Sequence, residues 1–510
     1  MLAFIGLCFL LLVGQLLRTK LRLLQWLYLP ACVIGGVVGL AAVQGLNAWH
    51  GAVTAPGPGA AQPAASRPAT APQPQPPPGE EPFWTRAVVG AHAEISRWGS
   101  IWAKLPGFLI NIVFACLFLG VTLPRFSSLL RRSGVQLAYG QVVAWGQYVV
   151  GVGLVLFLLV GTFEILAPDT PAARMFGGVL PVGFEGGHGT AGGLAETFAR
   201  KGWPDGKHFA LASATGGIMS AIIVGMVLIN VAARRGWIAR RARPSAVPED
   251  DSIGIIPVDR RPSAGKLTVK ADAIESFTLH VAFVGVALLI GYGLQRAVAQ
   301  IDRLYEMPQE LEGRAGLFGS IPMFPLCMIG GLLVQIWEQK FDRHKLIDLG
   351  LIRRIQNCTL DFLVVAAIAT IRLEVLVAGL APLLILIGAG IVWNVFCVLV
   401  LARRLLPDAW FERSIAEMGQ SMGVTATGLL LLRVVDPDYE SPAADAFATK
   451  QLLHEPIMGG GLWTSLAIPL LADPRWGPGK VFLISSAAVL GWLVVLVIAK
   501  LLRARRPAAA

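Results

Sequence analysis

Apolar runs of about 17 to 27 residues, each with few or no charges, recur from one end of this chain to the other, and each is long enough to cross roughly 30 Å of hydrocarbon as a helix. Candidate spans fall near residues 2 to 17, 23 to 47, 101 to 123, 140 to 166 and 208 to 232. The second half offers 274 to 298, 316 to 337, 355 to 371, 375 to 402, 455 to 472 and 479 to 500. Only 15% of the residues are charged and 55% are hydrophobic, where a soluble protein carries about 25% charged residues. The formal charge of +11 lies between the apolar runs rather than on a polar domain, which excludes a nucleic-acid binder. The fold class is therefore all-α, a polytopic membrane protein in contact with lipid.

Basic side chains resist translocation, so Lys and Arg in short loops set the orientation. The loop around Arg125, Arg131 and Arg132, the stretch from Arg234 to Lys270 and the loop from Lys340 to Arg354 are expected inside. The loops bearing Glu80, Glu81 and Glu94, and Glu306, Glu310 and Glu312, then fall outside, and the tail with Lys500, Arg503, Arg505 and Arg506 falls inside. Arg18, Lys20 and Arg22 follow the first apolar run instead of preceding it, the mark of an uncleaved first span with its N-terminus outside. Residues 51 to 82 hold ten prolines among Gly, Ala, Gln and Thr, an external linker that cannot bury a core. The six cysteines (Cys8, Cys32, Cys116, Cys327, Cys358 and Cys397) all sit in apolar segments with no CxxC pair, so they read as packing residues.

Two echoes divide the chain. Pro30-Ala31-Cys32-Val33-Ile34-Gly35-Gly36 matches Pro325-Leu326-Cys327-Met328-Ile329-Gly330-Gly331 as PxCxIGG, and Thr190-Ala191-Gly192-Gly193 matches Thr425-Ala426-Thr427-Gly428 as TAxG. The first pair lies farther from the second in the N-terminal half because the Pro-rich stretch and its flank, 51 to 100, have no counterpart later. Each copy holds five spans, an odd number, so the second is expected upside down relative to the first, an architecture common among secondary transporters. Segments 176–200 and 411–433, which carry the TAxG echoes, are too rich in Gly, Pro and polar residues for one continuous apolar helix. Both are expected as re-entrant broken helices, since irregular backbone at membrane depth is tolerated only when buried in protein or lining a cavity. The expected organisation is 1–50, two spans; 51–100, external linker and flank; 101–233, the rest of the first repeat; 234–273, a cytoplasmic basic loop; 274–473, the second repeat; and 474–510, an additional span and basic tail.

Asn357 and Asp361 stand four apart on one face of an apolar helix, so Asp361 is a candidate Na⁺ or H⁺ ligand, the alternative being a packing ion pair with Lys or Arg. His188 either takes part in substrate or proton handling or hydrogen-bonds loop carbonyls to fix a turn. Thr190, Thr425 and Thr427 offer hydroxyls beside glycines, with capping of the next half-helix as the structural alternative. Glu164, Arg372, Glu374 and Arg433 sit near span ends, where snorkelling to the interface competes with substrate contact. HExxH, Walker and GxSxG motifs are absent from the sequence, so neither an enzyme nor ATP-driven transport has a residue-level basis. A passive channel or a membrane sensor is the contrasting class; the longest polar segment is too short for an output domain.

GGHGTA at Gly186 to Ala191, the run from Lys201 to Val231 and the opening LLVGQLLRTKLRLLQWLYLPACVIGG resemble the bacterial sodium/glutamate symporter family. The resemblance covers most of the chain outside 48 to 100 and the last span. It implies a Na⁺-coupled importer of L-glutamate or a related carboxylate in the bacterial inner membrane, built as a homodimer, with Na⁺ as coupling ion and no cofactor. The candidate substrate residues are Gly186, Gly187, His188, Gly189 and Thr190 with Gly423, Thr425 and Thr427, and the candidate cation-binding residues are Asn357, Asp361 and Ala426; Glu185, His188 and Asp361 keep a proton-coupled carrier, or one for another solute, as the near alternative on the same scaffold. This chain departs from the family at Glu185, where an added anion would oppose glutamate or favour a cation, in a second loop poorer in glycine, and in the additional last span.

Overall fold

The computed structural model describes the chain except residues 28, 55–82, 124–125, 239–254, 306–320, 437–439 and 505–510. Most of the Pro-rich linker, much of the basic loop after Ile238, and Glu80, Glu81, Arg125, Glu306, Glu310, Glu312, Arg505 and Arg506 thus lie outside the described residues. Among those described there is no β-strand, and eight helices are long and apolar enough to cross a membrane.

The first half opens with α1 (Leu2–Lys20), α2 (Arg22–Trp26) and α3 (Ala31–Thr54). α4 (Phe83–Trp102) and α5 (Leu105–Ala115) follow, then α6 (Phe126–Leu154), which ends in a π-helical turn, Val155–Leu159. Four short helices come next: α7 (Pro171–Met175), α8 (Val179–Phe184), α9 (Gly187–Gly193) and α10 (Ala195–Arg200). The 30-residue α11 (Gly206–Arg235) closes the half, and Gly236 ends it at φ +65°.

The second half runs through α12 (Ser276–Tyr305), α13 (Met323–Phe341), α14 (Leu349–Ala369), α15 (Leu373–Ala378) and α16 (Leu380–Phe396), the last again followed by a π-helical turn, Cys397–Ala402. Then come α17 (Trp410–Ser421), α18 (Thr425–Val435), α19 (Ala443–His454), α20 (Leu462–Ala472) and α21 (Gly477–Ala504).

Several expected spans shift. The expected span at 23–47 is observed as Ala31–Thr54, because Pro30 cannot extend a preceding helix and instead starts a new one, its carbonyl accepting from the amides of Val33 and Ile34. That helix takes in residues 51–54 of the expected linker, and the expected flank carries α4. The 101–123 span is cut at Ala103-Lys104 and stops at Ala115. The 140–166 span starts earlier, at Phe126, and 455–472 is helical only from Leu462. α13, α14 and α20 are not among the eight long apolar helices; the first two carry Gln335, Glu338 and Lys340, and Arg353, Arg354 and Asp361.

Both glycines of each PxCxIGG echo sit where helices nearly touch, three of the four against backbone and Gly36 against a side chain. A Cβ on Gly35 would stand 2.4 Å from the Leu10 carbonyl oxygen of α1, and one on Gly36 2.7 Å from Ile368 of α14. A Cβ on Gly330 would stand 2.2 Å from the Ala287 oxygen of α12, and one on Gly331 2.2 Å from the Ala115 oxygen of α5. In both copies the first glycine packs on the preceding long helix and the second on a helix of the other half. Small residues that let backbones meet are the usual glue of membrane helices, where lipid is as apolar as the core.

The main core gathers around the short helices, with Phe176, Phe184, Phe198, Phe209, Phe411, Met422 and Phe447 all fully buried. Phe9 and Leu12 on α1, Leu289 on α12, and Leu483 and Leu490 on α21 point outward from the bundle. An apolar outside around a polar-containing inside is the inverse of a soluble bundle and marks a multi-pass membrane protein.

Replacing Gly330 by Leu should destabilise the fold by about 1–3 kcal/mol through overpacking, whereas Gly285→Leu on the same helix pair, with nothing within 4 Å, should be near neutral. Thermal unfolding in detergent, read by size-exclusion of the surviving monodisperse fraction, checks the contrast.

Candidate functional site

The Gly-rich segment cannot remain one helix: Pro181 and its glycines break it into α8 and α9, and Gly187 at the junction adopts φ +67°, a left-handed conformation open to glycine. In the second half, α17 ends at Ser421, the backbone passes through Met422 and Gly423, and Val424 is fully extended (φ −140°, ψ 163°) before α18 begins. α17 and α18, of 12 and 11 residues, are each too short to cross a bilayer. They fold back on each other as a hairpin so tight that a Cβ on Gly428 would stand 2.4 Å from the Ala416 oxygen. The two breaks meet: a Cβ on Gly187 would lie 3.4 Å from Val424 Cγ1 and 3.5 Å from the Gly423 oxygen.

Around this meeting point opens a cavity of about 620 Å³. Of the residues singled out from sequence, Gly186, His188, Gly189, Thr190, Asn357, Asp361, Thr425 and Ala426 line it. Gly187 and Gly423 form the contact just behind the wall, and Thr427 is buried against Gly423, its Oγ1 3.0 Å from where a Gly423 Cβ would stand. Arg372 is instead at an exposed pair with Asp205.

The hydroxyls do not cap. Val424 is the N-cap of α18 and Thr190 lies within α9. Thr425 Oγ1 donates to Glu455 Oε1 at 3.0 Å and accepts from Gln451 Nε2 at 2.7 Å, while Thr190 Oγ1 is buried without a hydrogen-bond partner among the described residues. His188 Nε2 is 3.0 Å from Thr215 Oγ1. That hydroxyl donates to the Leu211 carbonyl, so the imidazole Nε2–H is the donor to Thr215, and His188 ties the loop to α11.

Sequence reading missed part of the wall. Arg353 was assigned to a cytoplasmic loop, yet it precedes Asn357 and Asp361 by one and two helical turns on the same face of α14, and it lines the cavity. Its Nη1 donates to Gln356 Oε1 at 2.6 Å, and it forms no ion pair among the described residues. Gln451 and Glu455 line the cavity from the end of α19. The available signal was the four-residue spacing of Lys450 and His454 and of Gln451 and Glu455, which puts each pair on one face of a helix.

Behind the wall runs a buried polar chain. Glu185, at the end of α8, accepts from His454 Nε2 at 2.6 Å and Gln420 Nε2 at 2.7 Å. Lys450 Nζ donates to Gln420 Oε1 at 3.1 Å and to Glu417 Oε1 at 2.5 Å, and Glu417 Oε2 accepts from Gln136 Nε2 at 2.9 Å. Both side chains of the Lys450–Glu417 pair are fully excluded from solvent. Charges so deep persist only when paired and hydrogen-bonded. Lys450→Met should therefore cost about 3–5 kcal/mol by stranding Glu417, and adding Glu417→Gln should recover part of the loss. Chemical-denaturation midpoints of the two single variants and the double variant measure that coupling.

A family model described as the sodium/glutamate symporter matches residues 100–440, more than half of the chain. No curated protein and no solved structure matches it.

Proposed function

The chain belongs to the sodium/glutamate symporter family, and on that premise we propose that it is a Na⁺-coupled secondary symporter importing L-glutamate or a related carboxylate across the bacterial inner membrane. The observation that carries the reading is the cavity itself: two helix breaks, one from each half, meet at a space of about 620 Å³ that presents Arg353, without an ion pair among the described residues, beside Asp361 and Asn357. A pocket of that volume suits a small metabolite. Arg353 offers a planar donor fork matched to a carboxylate. The first turn of α18 adds the amides of Thr425 and Ala426, which have no hydrogen-bond acceptor among the described residues, and the positive end of the helix. Thr190 Oγ1 supplies a further buried hydroxyl in want of a partner.

Na⁺ takes hard oxygen donors, and the Asp361 carboxylate, the Asn357 side-chain oxygen and the backbone around Ala426 are of that kind. Asp361 and Asn357 are exposed to the cavity rather than buried in packing, which favours the ligand reading of Asp361 over a structural ion pair.

Transport follows by alternating access around the two broken helices, taken as re-entrant loops of inverted repeats. The matching glycine contacts of the two PxCxIGG copies and the π-helical turns closing α6 and α16 support that symmetry. Membrane lipid, Na⁺, the carboxylate and a second copy of the chain are the partners of this reading, and it needs no cofactor and no enzymatic step.

Proteoliposomes with an inward Na⁺ gradient should accumulate labelled L-glutamate, and a matched K⁺ gradient should not. Equal flux under both gradients would leave a passive channel, and no flux would discard glutamate. Asp361→Asn and Arg353→Gln should each reduce kcat/KM by about 10- to 100-fold, the equivalent of losing one charge-assisted contact. Asp361→Asn should act on the Na⁺ dependence and Arg353→Gln on the substrate dependence.

A further inference from the structure

Donor and acceptor roles along the buried chain follow from two members that can only donate. Trp145 Nε1–H donates to Gln141 Oε1 at 2.9 Å, which fixes the Gln141 amide so that its Nε2 faces His454 Nδ1 at 3.3 Å. His454 Nδ1 is therefore an acceptor and carries no proton. The imidazole is neutral, with its hydrogen on Nε2 directed at Glu185 Oε1. On the other side Lys450 can only donate, so Gln420 presents its oxygen to Lys450 and its Nε2 to the same Glu185 oxygen.

The charges do not cancel. Glu417 and Lys450 neutralise one another, His454 is neutral, and Glu185 remains as an anion. Glu185 Oε1 takes both hydrogen bonds, while Oε2 is buried and has no partner at all among the described residues. The residue is 4% exposed. A buried carboxylate oxygen without a protein donor is a costly kind of unsatisfied group.

The geometry points to Glu185 Oε2 as a proton-loading site of the carrier, filled and emptied as the two broken helices and their ligands rearrange. Loading forms one O–H bond at Oε2, converts the carboxylate to a neutral acid, and leaves the His454 and Gln420 hydrogen bonds to Oε1 in place. Loading His454 instead would put a hydrogen on Nδ1 facing the Gln141 amide nitrogen and would break the Trp145 bond.

The groups around the site come from five elements. α19 brings His454 and Lys450, α17 brings Gln420 and Glu417, and α6 brings Gln141 and Tyr148, the latter close enough to interact with Glu185. From α9, His188 is committed to Thr215 of α11, whose hydroxyl does not titrate. The Glu185 carboxylate is joined to both broken helices, following α8 directly and bonding α17 through Gln420, and Gly186 beside it lines the cavity. A change in its charge is thus felt where substrate binds.

The coupling to transport rests on the symporter reading; the site does not. Infrared difference spectra of reconstituted protein, recorded on stepping pH down and on adding Na⁺ with L-glutamate, should show a carboxylic-acid C=O stretch that Glu185→Gln removes and Glu185→Asp shifts. In proteoliposomes carrying an entrapped pH dye, Na⁺-driven uptake by the wild type should move protons, a signal lost in Glu185→Gln. A pH-step spectrum that is the same in wild type and both Glu185 variants overturns the site. Uptake by the wild type without any proton signal overturns the coupling while leaving the symporter intact, and absence of uptake refutes that reading alone, because the pH-step spectrum still decides the site.

Discussion

Backbone that leaves the helix inside an apolar bundle must find its hydrogen bonds and its space in protein, and this fold is organised around two such places that share one solution. Gly187 and the Met422–Val424 stretch each break a helix at depth, and each break is packed against the other. The breaks remove regular helical pairing where they occur, which is why amides at the start of α18 have no partner among the described residues. Long helices then serve as scaffold. Their glycine contacts, carbonyl to missing Cβ, hold the breaks in place without any aqueous hydrophobic drive between helices.

The cost of those breaks is borne by polar side chains from elsewhere. Glu185 follows α8, Gln420 and Glu417 belong to α17, and Lys450 and His454 belong to α19, so the network stitches both broken segments to a third helix. Each member satisfies another, and removing any one strands a partner in low dielectric. Such a network specifies one arrangement of the two hairpins more sharply than apolar packing would, and it does so beside the cavity instead of across it.

How much of this could be read in the sequence follows from which physical rule each feature obeys. The long spans obey length and hydropathy and were legible, as was Asp361, an acid placed in an apolar run. The helix breaks were legible from glycine and Pro181, since local propensity alone forbids a continuous helix there. Boundaries failed where short signals overrode hydropathy, at Pro30 and at Ala103-Lys104. Arg353 was misplaced because a charge count assigns every arginine near a loop to the loop, although its spacing to Asn357 and Asp361 put it on the cavity face. The Lys450–Glu417 pair was out of reach: its partners lie 33 residues apart, and nothing in either segment alone requires the other.

Charge balance at the cavity gives the proposed coupling a physical basis. Arg353 brings one basic group to the wall, and Asp361 and Glu455 bring two acids, with the acid Glu185 just behind. An anionic substrate entering alone would meet a net negative field, and in a protein interior such repulsion is only weakly screened. Its binding becomes favourable when cations occupy the acidic groups first, which makes cation and substrate affinities depend on each other reciprocally. On this reading the excess of acids over bases, which at first argues against a carrier of carboxylates, is what obliges the substrate to travel with its ions.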